Sequence, residues 1–192
     1  MKEKEVSYYS KRIRELCRVI ENLAPKLPYH NKNHLKDVSK SCKKYAQLER
    51  LNLYDIFILE TAGLLHDIVY LPGREDNVER SVELSKNVLS RFGYSQREIE
   101  EISRLILSTK LPTNPRDALE KIICDADLDN LGRDDFFEKT ELLRLEQGIL
   151  DKKKWYTDTL NFLEQVEFYT PSARRLAGPK LKENIEKMRR LK

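Results

Sequence analysis

The chain has 192 residues, 40% of them hydrophobic and 35% charged, with a net charge of +4. That length suits one domain with a sizeable core, and the charge is compatible with phosphate-bearing ligands but too small to argue for nucleic acid. No apolar run approaches the ~20 residues of a membrane span, Met1-Lys2-Glu3-Lys4-Glu5 does not read as a signal peptide, and three scattered cysteines (Cys17, Cys42, Cys124) without a CxxC pair point to reduced thiols in a cytoplasmic protein.

Apolar residues at Ile13, Leu16, Cys17, Ile20 and Leu23 predict a first helix from about Val6 to Leu23. Pro25 and Pro28 end it. A second helix is expected from near Asn31 through His34, Val38, Cys42 and Tyr45, with Asn31 and Asn33 suited to capping. If its first turn reaches back to His30, then His30 and His34 share a face, roughly 6 Å apart. Asp55 is the expected N-cap of the next helix, through Ile58, Leu59, Ala62, Leu65 and His66; being apolar on most sides, that helix should be central. The loop from Leu71 to Asn77 is a candidate substrate-facing lip.

A helix through Glu79, Ser81, Leu84 and Val88 should stop at Gly93, and Ser95 to Glu98 fits a capping box that opens another through Ile99, Ile102, Leu105 and Ile106. Asn114 and Pro115 are placed as N-cap and first residue of a short helix that carries Asp125 and Asp127. Further helices are expected from about Asp134 to Gly148, from Asp151 to Val166 with the sole tryptophan, Trp155, and after Thr170-Pro171, with a break at Gly178-Pro179. The basic tail, Lys180 to Lys192, reads as a solvated helix face rather than a nucleic-acid surface. Without strand patterns, repeats or linkers, the expectation is an all-α bundle of about eight to ten helices in one domain over residues 1–192.

The three histidines lie in two short stretches, Tyr29-His30-Asn31-Lys32-Asn33-His34 and Leu64-Leu65-His66-Asp67-Ile68-Val69-Tyr70. His66 and Asp67 sit inside an apolar run, where a buried carboxylate must be charge-paired or bound to a metal. Cys124-Asp125-Ala126-Asp127-Leu128 again places acids after an apolar run, Ile122-Ile123. Histidine and carboxylate in this pattern point to one divalent metal site.

Taken in this order, the stretches resemble the HD-domain metal-dependent phosphohydrolases, whose pattern is a His, an adjacent His-Asp pair and a distant Asp on helices of one bundle. The match covers Tyr29-His30-Asn31 to His34, Leu65 to Tyr70, Asn77 with Glu79-Arg80-Ser81, and Asp125 to Leu128 with Leu131-Gly132. It is most similar to the small stand-alone bacterial proteins of that superfamily, and its Tyr-His-Asn-x-x-His stretch is also similar to that of the cyclic-nucleotide phosphodiesterases. The resemblance implies a metal-binding core from about Tyr29 to Gly132, with His34, His66, Asp67 and Asp125 as metal ligands. Asp127 is then structural or a support to the ligands. Asp67 would also serve in catalysis, the metal lowering the pKa of a water and drawing charge off the phosphoryl group. His30 matches the phosphodiesterase histidine that protonates the leaving oxygen, although capping or support of the metal site would also explain it. Glu79 matches an acidic position of the family that could orient a ligand or the attacking water.

Many HD proteins bind a second metal through histidines near Asn77-Val78-Glu79 and near Thr109. Here those places hold Val78 and Lys110-Leu111-Pro112, which favours one metal and leaves Lys110 or Arg74 to supply positive charge toward a substrate phosphate. Manganese, cobalt, iron, nickel, zinc and magnesium all remain candidates, magnesium least, because it prefers all-oxygen shells. The expected partner is a small phosphate ester of nucleotide type. The rival reading is a non-catalytic nucleotide-binding sensor built on the same site. Trp155, Phe162, Phe168 and Tyr169 could serve a homodimer as readily as a core.

Overall fold

The computed structural model describes residues 2–191. Among them ten α-helices follow one another: α1 Lys2–Leu23, α2 Lys32–Leu48, α3 Leu53–Leu65, α4 Asn77–Arg91, α5 Gln96–Ser108, α6 Ala118–Asp127, α7 Phe136–Glu146, α8 Lys152–Leu163, α9 Pro171–Leu176 and α10 Gly178–Arg189. A 3-10 turn, Asp129–Gly132, joins α6 to α7. No strand occurs among the described residues, so the all-α expectation holds. Also among them, no helix is long and apolar enough to cross a membrane.

The bundle is organised around α3, whose residues from Ile56 to Leu59 and from Thr61 to Leu65 are all buried. A helix apolar on every side must be surrounded, and α1, α2, α5 and α6 all pack on it. Its cap differs from expectation. Asn52 is the N-cap, accepting from the Asp55 amide at 2.9 Å, and Asp55 sits inside the first turn, where its charge favours the helix N-terminus. The Ser95–Glu98 capping box on α5 forms as its sequence suggests. The start of α6 falls later than expected, at Asp117, whose side chain accepts from the Glu120 amide at 2.9 Å.

The backbones of α2 and α3 approach closely. A Cβ built on Gly63 would lie 2.8 Å from the Ser39 Cα and 2.9 Å from its amide nitrogen. Only a hydrogen at that position lets the two backbones meet. Gly63→Ala should therefore cost about 1–3 kcal/mol through overpacking. Chemical denaturation measures it, and an unchanged midpoint would show that the contact gives way freely.

The tail is packed rather than free. Asn184 of α10 donates to the carbonyls of Leu131 at 2.9 Å and Arg133 at 3.0 Å, and Met188 is fully buried. Phe168 joins the core, while Trp155 and Phe162 line a cavity.

A second tie binds α2 to α7. Arg133 donates to both oxygens of Asp37, and Lys139 donates to one at 2.6 Å. Burial pushes the Asp37 carboxyl up, but these two cations hold it well below the usual carboxylate range. A folded-state pKa below the unfolded value of about 3.9 contributes stability above that pH, and the contribution fades as acid protonates the group. Wild type should therefore melt higher than Asp37→Asn at neutral pH, with the gap closing as the pH falls below about 4. A gap that stays constant down to pH 3 would remove the ion-pair explanation.

Candidate metal centre

Three separate elements deliver four donors to one point. His34 comes from the first turn of α2, where Asn31 caps the helix by accepting from the amides of Asn33 and His34. His66 and Asp67 follow directly on α3, and Asp127 ends α6. Donor atoms of His34, His66, Asp67 and Asp127 all lie within 4.8 Å of one another. His66 Nε2 stands 3.1 Å from His34 Nε2, 3.3 Å from Asp67 Oδ2 and 3.1 Å from Asp127 Oδ1.

Three of the four expected ligands thus meet, and the fourth is replaced. Asp125 is turned away from the cluster. Its carboxylate accepts from the Tyr169 amide at 2.7 Å, the Thr170 amide at 2.8 Å and the Thr170 hydroxyl at 2.6 Å. Two residues on a helix of 3.6 residues per turn point about 200° apart, so Asp125 and Asp127 cannot both face one point. Asp125 anchors the entry to α9, and Asp127 faces the histidines.

The donors fit a divalent cation. His66 Nδ1 lies 3.0 Å from the Gly63 carbonyl, a bond that commits the Nδ1 proton and directs Nε2 at the cluster. Burial lowers the pKa of His34. Burial also acts to lower that of His66, but the carboxylates of Asp67 and Asp127 outweigh it and raise His66 well above its usual value. The Asp67 carboxyl, pushed up by burial, is held well below its usual range by His66 and His34. Two carboxylates and two imidazoles, mostly out of water, form a mixed nitrogen and oxygen set suited to a first-row divalent metal.

His30 is not part of α2. It precedes the Asn31 cap, its ring 5.4 Å from that of His34, and a different helix holds it. Its Nδ1 bonds Oε1 of Glu146, whose Oε2 accepts from the amides of Tyr29 at 2.9 Å and His30 at 2.8 Å. The ring stacks on Tyr70, with centroids 3.4 Å apart, and its Nε2 stands 3.4 Å from Asp67 Oδ2. Burial raises the Glu146 carboxyl, but the three bonds from His30 and Tyr29 bring it below its ordinary value, so it stays ionised. Nothing in the sequence near Glu146 signals this role, since 116 residues separate it from His30.

A cavity of about 850 Å³ adjoins the cluster, with His30, His34, Asp67 and Asp127 in its wall. Arg74 and Lys110 line it as well, each holding a carboxylate: Arg74 bonds both oxygens of Asp76 at 2.7 and 2.8 Å, and Lys110 pairs with Glu79. Glu79 itself is about half exposed and is not in the cavity wall among the described residues; it reaches the site only through Lys110, which is. Lys139 joins the two expected cations in the wall.

Residues 31–129 match the HD domain family. No curated protein matches the sequence. Among solved structures, Bacillus subtilis YpgQ in complex with ADP is 21% identical, with a TM-score of 0.69 over 93% of this chain and 95% of that one. The Lin1889 protein of Listeria innocua is 20% identical, with a TM-score of 0.67 over 95% and 94%. At such identities the likeness speaks for the fold alone. With the family match spanning more than half of its length and the histidine and aspartate donors gathered at one point, the chain belongs to the HD-domain family, a superfamily of metal-dependent phosphohydrolases.

Proposed function

We propose that the protein is a phosphohydrolase that uses one divalent cation, held by His34, His66, Asp67 and Asp127, to cleave a phosphate ester of a nucleotide. The observation that carries this reading is the four-donor cluster opening on a cavity beside a histidine that is itself pinned by a buried glutamate. When bound, the cation supplies an acidified water and withdraws charge from the phosphoryl group. The chain's own residues do the rest. Arg74 and Lys110 meet the phosphate oxygens at the cavity wall, exchanging Asp76 and Glu79 for the substrate's charge. His30, oriented by Glu146, presents Nε2 on the cluster side and gives its proton to the departing oxygen. The ADP complex of YpgQ supports a nucleotide as the ligand class.

The sensor reading draws on one observation. Val78 and the Lys110-Leu111-Pro112 run stand where many HD proteins carry histidines for a second metal. Phosphate release from a panel of nucleotides and cyclic nucleotides by the manganese-loaded protein, against His66→Ala with its helicity checked, separates the two. Release that vanishes in the variant supports the hydrolase. A metal-loaded, folded protein that releases nothing supports the sensor.

A further inference from the structure

The cavity runs beyond what a phosphate needs. Part of its wall is built by α7 and α8, where Phe136, Leu143, Trp155 and Phe162 present apolar and aromatic surface among polar residues such as Thr140 and Asp158. At about 850 Å³ it falls in the range that encloses a ligand of drug size. A phosphate group is bound by charge and hydrogen-bond donors. Such a surface instead suits a flat, weakly polar group attached to the phosphate. The indole N–H of Trp155 has no hydrogen-bond partner among the described residues, so packing alone holds the ring. Both helices lie beyond residues 31–129, the segment that carries the family match and all four donors. The four donors and this wall therefore come from different parts of the chain.

We propose that the α7–α8 wall, with Trp155 as its stacking residue, is the pocket for the base of a nucleoside phosphate, and that this wall sets which substrate is taken. The proposal rests on the nucleotide phosphohydrolase reading above and assigns its specificity to a segment outside the family's histidine and aspartate core.

Trp155 is the only tryptophan, so its emission reports on this wall alone. The test compares α,β-methylene-ADP with methylenediphosphonate, which carries the same phosphonate linkage and no base, each in magnesium buffer. The nucleotide analogue should change Trp155 emission saturably, and methylenediphosphonate should leave it unchanged. By calorimetry, Trp155→Ala should bind the nucleotide analogue at least about fivefold more weakly, as expected for a lost base stack. Trp155→Phe should recover most of that loss, and the affinity for methylenediphosphonate should not move in either variant. Emission that stays flat at calorimetric saturation would overturn the proposal, as would equal weakening of both ligands. The readout does not depend on turnover. A base-dependent emission change without hydrolysis would remove the hydrolase and leave the pocket. Hydrolysis with a silent Trp155 and no preference for a base would do the reverse, and binding of neither probe would remove both.

Discussion

Asp127→Ala is expected to lose divalent metal and phosphate-ester hydrolysis together, while Asp125→Asn keeps both and loses stability. Asp127 Oδ1 lies 3.1 Å from His66 Nε2 and within reach of His34, so its removal deletes one of four donors and half of the cluster's negative charge. Loss of a supporting contact around a metal costs 10–100-fold in affinity, and loss of a ligand should exceed about 100-fold. Asp125 has no such role. Its two oxygens satisfy three donors from Tyr169 and Thr170, and whichever way an asparagine is turned its NH2 would face a backbone N–H, which has no acceptor to offer. That mismatch should cost about 1–3 kcal/mol. Metal content by mass spectrometry and unfolding midpoints, measured on both variants, decide the matter. Metal lost from Asp125→Asn but retained by Asp127→Ala would reverse the assignment.

Glu146→Gln should lower turnover about 100-fold on a nucleotide and leave the Michaelis constant within about twofold, the size expected when a general acid is disabled. The glutamine keeps an oxygen for the amides of Tyr29 and His30 but lacks the charge that faces His30 Nδ1. The loss should shrink sharply on p-nitrophenyl phosphate, whose leaving group departs without a proton. An equal loss on both substrates would make Glu146 a support for the loop at Tyr29 and His30 rather than a positioning residue for proton transfer.

Most of the helical frame was legible because it rests on local patterns. The Ser95–Glu98 box, the Asn31 cap and the all-round apolar character of α3 are readable from neighbouring residues, and the structure shows each. Two caps fall elsewhere than the sequence suggests: Asn52 rather than Asp55 caps α3, and Asp117 rather than Asn114 caps α6. Each observed cap lies three residues from the expected one, within the length of one helical turn. At the rim, Glu79 and Lys110 were assigned to the site one by one, yet in the fold they pair with each other.

The sequence by itself determined an α-helical protein with three histidines in two stretches and a His-Asp pair in an apolar run, because periodicity and composition act over a few residues. Only the tertiary structure decided that Asp127 and not Asp125 completes the cluster, since a 200° turn between them leaves the choice to whichever helix face packs inward. It alone brought Glu146 to His30 across 116 residues and set α7 and α8 in the cavity wall, contacts that local sequence pattern does not encode.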